Sequence, residues 1–212
     1  MAVTYPLAFP SRNPTAFTLR QRKVVGRSMA PTTGVAQRYE WQGEWWEAML
    51  DLGTQTRANG EVFAAWLTSL RGAVGTFLMG DPLSAVPRGS AGVTPGTPVV
   101  SGAHSALSRT LAISTGLGTV SNYLRAGDYV QLGSGSTTRL HKVLQDASLV
   151  AGAATLDIWP ALRAAYSNGT TIVVSSAKAR FYLTSEPEWT TAGPTDSPRY
   201  QFAPVSCVED LS

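Results

Sequence analysis

The chain is poor in the residues that usually carry chemistry. It has one cysteine, Cys207, and two histidines, His104 and His141, in 212 residues. A lone thiol closes no internal disulfide and holds no metal by itself, and two widely separated histidines lack the paired spacing of a metal site. In Pro204-Val205-Ser206-Cys207-Val208-Glu209 the cysteine reads as a buried apolar residue of the last strand. Charge is scarce as well: 17 Lys+Arg and 14 Asp+Glu make up 15% of the chain, against about 25% in an ordinary globular protein. The net charge is only +3. So little charge excludes a disordered charged tail and argues against a general binder of nucleic acid, which needs clustered cations to neutralise phosphates. No apolar run reaches the ~18–20 residues of a membrane helix, so no membrane anchor is expected. The opening Met1-Ala2-Val3-Thr4-Tyr5-Pro6 has no basic segment leading into an apolar one, so synthesis in the cytoplasm without a leader is expected.

Motifs with a mechanism are missing too. There is no GxGxxG, GxxxxGK[ST], HExxH, CxxC or GxSxG. Without a nucleophile elbow, Asp128, Asp146 and Asp157 form no triad with any particular serine. Gly133-Ser134-Gly135-Ser136 reads as a hairpin turn, and Asn168-Gly169-Thr170 as an Asn-Gly turn. Two carboxylate pairs flank aromatics: Glu44 and Glu47 around Trp45-Trp46, and Glu186 and Glu188 before Trp189. Such clusters can bind sugars or cleave them. Glu44 and Glu47, however, point to opposite faces of a strand, so they are expected to be solvated edge charges beside core tryptophans. No catalytic residue, metal or cofactor is expected, and the chain does not read as an enzyme.

What is present is a β pattern. Phe17 and Leu19 alternate with polar neighbours. Val35, Gln37, Tyr39 and Trp41 share a face opposite Arg38 and Glu40, and Trp46, Ala48, Leu50 and Leu52 share another beyond Gly43. Alternation on both sides of Gly43 predicts a hairpin turning there. One segment has helical period: Val62, Phe63, Trp66, Leu67 and Leu70 predict a helix over about 59–71, capped by Asn59 and stopped at Gly72. Thr76–Met79 predicts a short buried strand. From residue 83 glycines and prolines multiply, and short strands are predicted near 111–113, 129–132, 140–144, 155–158 and 171–174. Arg180–Leu183 and Tyr200–Phe202 are expected to rejoin the first sheet. The domains are then 1–82 with 178–212, and 83–177 as an inserted small β-barrel or sandwich.

One local excess stands out. Arg20, Arg22, Lys23, Arg27 and Arg38 fall together with no acid between them. With few interleaved aromatics, a solvated face or an acidic partner protein is the better reading than phosphate binding.

The order of the motifs resembles the distal tail proteins of long-tailed bacteriophages. The resemblance rests on Trp45-Trp46-Glu47-Ala48, Phe63–Gly72, Gly75–Pro82, Leu124–Gly133, Arg139–Leu144, Arg180–Leu183 and Tyr200–Phe202, and spans about 10–210. It implies a tail-tube-like β-sandwich or barrel with one packed helix, decorated by a second β domain. It implies a homo-oligomeric ring, six-fold, that joins the tail tube protein to the baseplate hub or tip proteins, in a virion tail. DNA would only pass through the lumen. Arg20, Arg22, Arg27, Tyr39, Trp41 and Trp45 are the candidate protein-interface residues, with the arginines facing protein rather than the lumen. A carbohydrate-binding adhesin module, using Trp41, Trp45 or Trp189, is the alternative; a tail-associated hydrolase working through Glu44 or Glu188 is a second.

Overall fold

In the computed structural model, residues 3–12, 14–194 and 197–212 are described; Met1 and Ala2 of the opening segment lie outside them. The chain opens with β1 (Leu7–Ala8), β2 (Ala16–Met29), β3 (Ala36–Asp51), β4 (Thr54–Thr56), helix α1 (Arg57–Ser69) and β5 (Thr76–Met79). Eight short strands follow: β6 (Val99–Val100), β7 (Thr110–Ser114), β8 (Val120–Leu124), β9 (Tyr129–Leu132), β10 (Arg139–Val143), β11 (Ala147–Leu149), β12 (Ala153–Trp159) and β13 (Ile172–Val173). The chain ends with β14 (Ala179–Leu183), β15 (Trp189–Ala192), β16 (Arg199–Phe202) and β17 (Val205–Glu209). The protein is mainly β with a single α-helix among the described residues.

The first sheet has the order β1-β5-β14-β17-β3-β2. Its pairs are antiparallel except β1 with β5. Period-two alternation buries Trp46, Ala48, Leu50 and Leu52. They meet Phe77, Phe181, Cys207 and the helix residues Phe63, Trp66, Leu67 and Leu70 in one core. The N-cap lies three residues before the expected one: it is Thr56, with no side-chain cap bond, and Asn59 lies in the first turn. Val62 is exposed, so the apolar stripe is narrower than its sequence pattern. Arg71 and Gly72 both take left-handed φ beyond the helix, which ends it where the glycine predicted. Tyr200 does not rejoin the first sheet. It belongs to β16, in a separate three-stranded sheet of order β15-β16-β4, and its ring covers Gly60 of α1.

The second sheet has the order β13-β9-β10-β12-β7-β6. Its two edges meet through a bridge from Val99 to Thr171, with Val100 N donating to Thr170 O at 2.8 Å and Ile172 N to Pro98 O at 3.0 Å. Six strands thus nearly close into a small barrel, whose two edges are joined by this short bridge. Leu111, Ile113, Val130, Leu132, Leu156 and Ile158 fill it. Strands β8 and β11 form an additional two-stranded ribbon that its polar sequence, Ser121-Asn122 in particular, had concealed. Asp128 is buried and collects the backbone N–H groups of Arg88, Gly89 and Arg125 at 2.8–3.2 Å. Its role is to tie the entry loop to the barrel.

The hairpin differs from expectation. Its turn is at residues 30–35, where Ala30 N donates to Val35 O and Gly34 N to Ala30 O, so 16–29 and 36–51 are the two arms. Gly43 lies inside β3. Register runs Lys23↔Glu44 and then Val25↔Glu40. Residues 41–43 therefore face Val24 alone, and the glycine marks a bulge. A side chain at Gly43 would run into Val24.

Trp46 joins the two sheets. It stands edge-on to Trp159 with ring centroids 4.4 Å apart, lies 6.2 Å from Tyr129, and donates from Nε1 to Leu140 O at 3.0 Å. Trp46→Ala is expected to cost about 3–5 kcal/mol of stability by leaving a cavity at this junction. Trp41→Ala, at an exposed position, should stay within about 0.5 kcal/mol. Urea unfolding of both variants measures the contrast.

Candidate functional site

Beyond its bulge the hairpin projects from the molecule, tied to the barrel side at Glu40, which meets Arg109. The five residue pairs from Val25↔Glu40 to Met29↔Ala36 reach about 17 Å at 3.3 Å per residue. Both faces of this ribbon are exposed, and so are Val25, Met29, Val35, Tyr39 and Trp41. Its first arm, β2, is an edge of the six-stranded sheet, with a row of backbone groups that pair with no other strand among the described residues. A long edge strand carrying exposed apolar side chains is a surface made for covering.

The six candidate interface residues fall on this hairpin, on both of its faces. Arg20, Arg22 and Trp45 share the outer face at the base of the arms; Arg22 pairs across to Trp45 and its Nε donates to Glu47 Oε2 at 2.7 Å. Tyr39 and Trp41 continue that face, over Gly26. A Cβ there would lie 2.9 Å from Trp41 Nε1, which is why glycine suits the position. Arg27 points the opposite way, directly across from Arg38. Trp45 is half-buried in an open groove of about 480 Å3 with Tyr182, Val208 and Leu211. Trp41, Trp45 and Trp189 do not form one platform: Trp189 lies on β15 beside Phe202, in a different sheet.

The inner face at the base of the hairpin holds what the sequence reading missed. Glu44 is buried, not a solvated edge charge. Its Oε1 lies 3.2 Å from Lys23 Nζ and 2.9 Å from Arg109 Nη2, and its Oε2 accepts from Ala161 N at 3.0 Å. Glu40 shares both cations. The bulge makes this possible, because it brings two carboxylates four residues apart onto one cross-strand lysine. Glu47 faces the other way, as the alternation predicted, and Glu188 is exposed on a remote loop. Glu40 and Glu44 converge on these cations, and neither Glu47 nor Glu188 joins them.

Deeper in the same seam, Glu209 accepts from Trp46 N at 3.1 Å and faces Arg163 at 3.9 Å. Burial raises its pKa, opposed by the Trp46 N–H and by Arg163 and Arg139. Arg139 donates to Asp210 O at 2.9 Å, and Arg180 reaches Asp210 at 3.1 Å. His141 is enclosed, with Nδ1 bonded to Pro160 O at 2.7 Å and Nε2 without a partner. Burial, reinforced by Arg163 and Arg139, lowers its pKa to about 4 although the Pro160 carbonyl pulls the other way. Cys207 is buried, and burial pushes its thiol up to about 12, which leaves it un-ionised and unreactive. Among the described residues, no three His, Cys, Asp or Glu side chains gather at metal-binding distance. No helix among them is long and apolar enough to cross a membrane.

Comparison with known proteins gives no match, either to a family model or to a curated protein.

His141 sets a pH dependence. It is neutral when folded down to about pH 4, whereas the unfolded chain takes up its proton near pH 6.5. The unfolded state therefore binds more protons between these values, and stability falls as pH drops from about 6.5 to about 4. Unfolding free energies measured across that window are expected to fall less steeply in His141→Gln than in the unaltered protein.

Proposed function

We propose that this protein is a virion structural component, a ring-forming distal tail adaptor that joins the tail tube to the baseplate or tip complex and performs no catalytic step. The observation that carries the reading is the projecting hairpin, whose edge strand and apolar side chains lack any cover among the described residues. Two-stranded ribbons are marginal alone in water. This one is anchored at its base by Trp46 and Glu44 and left bare at its tip, an arrangement suited to reaching a neighbouring subunit. The low charge of the chain suits it too, since unpaired charges are costly to bury between subunits. The link to tails rests on the order of sequence motifs from Trp45 to Phe202.

In this reading the first sheet and α1 build the ring, and the barrel of β6, β7, β9, β10, β12 and β13 decorates it. Because the barrel is nearly closed, with its edges bridged at Val99 and Thr171, it adds bulk and offers little edge for strand addition.

Two measurements test the proposal. The purified full chain should form closed rings in negative stain and give a multiple of the 22.5 kDa subunit mass in solution; a carbohydrate-binding module would remain monomeric. Replacing residues 27–38 by Asn-Gly should leave a folded monomer, with stability changed by less than about 1 kcal/mol because no core residue is removed. Phage particles that lack this protein yet carry complete, normal tails would overturn the adaptor reading.

A further inference from the structure

The inner face of the projecting ribbon carries two arginines and one acid, Glu40, that is engaged elsewhere. Arg27 and Arg38 are direct cross-strand partners, and neither forms an ion pair among the described residues, whose pairs are otherwise numerous along this hairpin. Glu40, the nearest acid along β3, is already held by Lys23 and Arg109. Like charges directly opposite each other on a sheet are destabilising. The exposed Val25 and Met29 flank them on the same face. The tip therefore presents a patch that is apolar and doubly cationic, and an anion from outside the subunit would relieve the repulsion within it.

The chain also carries a patch of the opposite character. Glu186 and Glu188 are exposed on the loop between β14 and β15, two residues apart, and neither meets a cation among the described residues. Glu186 lies beside Gly72, in the short turn that ends at Val74, 75% exposed. Trp189 follows Glu188 directly and is also exposed. This second patch is apolar and doubly anionic.

We infer that the Arg27/Arg38 tip of one copy docks on the Glu186/Glu188 loop of the next copy. The contact is made between two different surfaces, so it is head-to-tail; repeated with a constant rotation, it closes into a ring instead of stopping at a dimer. The inference rests on the ring reading above and adds to it the surface that each subunit offers its neighbour.

Charge reversal tests the contact through its own complementarity. Arg27→Glu/Arg38→Glu and Glu186→Arg/Glu188→Arg each place like charges across the contact. Each is expected to weaken self-assembly at least about tenfold, since like-charge juxtaposition is strongly unfavourable at an interface. Mixing the two variants in equal amounts should restore assemblies, now with the variants alternating and equal in number by native mass spectrometry. That recovery also shows that both variants are folded. Rings of the unaltered protein that persist in both variants, or a mixture that does not recover, would overturn the docking contact and leave the ring reading standing. An unaltered protein that stays monomeric at all concentrations would overturn both.

Discussion

The structure depends on what happens beneath one tryptophan. Trp46 fills the junction between the open sheet and the nearly closed barrel, and its indole N–H is satisfied by a barrel carbonyl, Leu140 O. Its neighbours on the same face divide by distance from the core. Ala48, Leu50 and Leu52 pack on α1, while Glu44 meets cations from its own hairpin and from the barrel. The backbone N–H of Trp46 is taken by the buried Glu209 of β17. One strand thus changes within ten residues from a hydrophobic contact to an ionic one and then to bare solvent. The two sheets share a core as a result: Tyr129, Leu140 and Trp159 of the barrel belong to the same cluster as the helix residues.

The anchoring explains how the hairpin tip can be exposed on both faces without unravelling the sheet. The base of each arm is held through Phe17, Leu19 and the Glu44 cluster, and cooperativity along the ladder carries order outward past the bulge. The bulge also increases local twist, so the tip is turned relative to the plane of the sheet that carries it. Scarcity of charge along the chain and concentration of charge on this hairpin are then compatible. Lys23 and Arg22 are consumed inside the subunit, whereas Arg20 at the base and Arg27 and Arg38 near the tip have no ion-pair partner among the described residues.

The sequence was legible wherever one face of an element is buried and the other is not. Trp46 to Leu52, the α1 stripe and five of the six barrel strands each turn one face to a core, and each was found near its true position. The hairpin turn was misplaced for the complementary reason. Between residues 24 and 42 neither face is buried, so the pattern holds no inward direction, and a glycine that accommodates a bulge looks like one that makes a turn. Glu44 shows a different limit. Strand parity correctly put it opposite Glu47, but its burial depends on Arg109 and Ala161, which are 65 and 117 positions away, and no local pattern encodes such partners. The helix start was shifted because Thr56 uses no side-chain cap bond, so capping preference had nothing to report. Tyr200 alternates like a strand of the first sheet, yet its register is with Gln55 and Thr191; alternation specifies a strand and not its neighbour.

The barrel leaves and returns to the open sheet at one place. Met79 of β5 pairs with Ala179 of β14, and Gly80 sits so close to the carbonyl of Ala177 that no side chain would fit. Measured along the chain, that pairing closes a loop of 100 positions. Once the barrel has formed, most of that loop is already ordered and its ends are held near each other. The effective loop shrinks to roughly ten mobile residues, which lowers the closure entropy by about 2 kcal/mol on the logarithmic scaling of loop cost. Strands remote in sequence thereby become kinetic neighbours, and the insertion that looks like a burden on the contact order of the open sheet shortens the search for it.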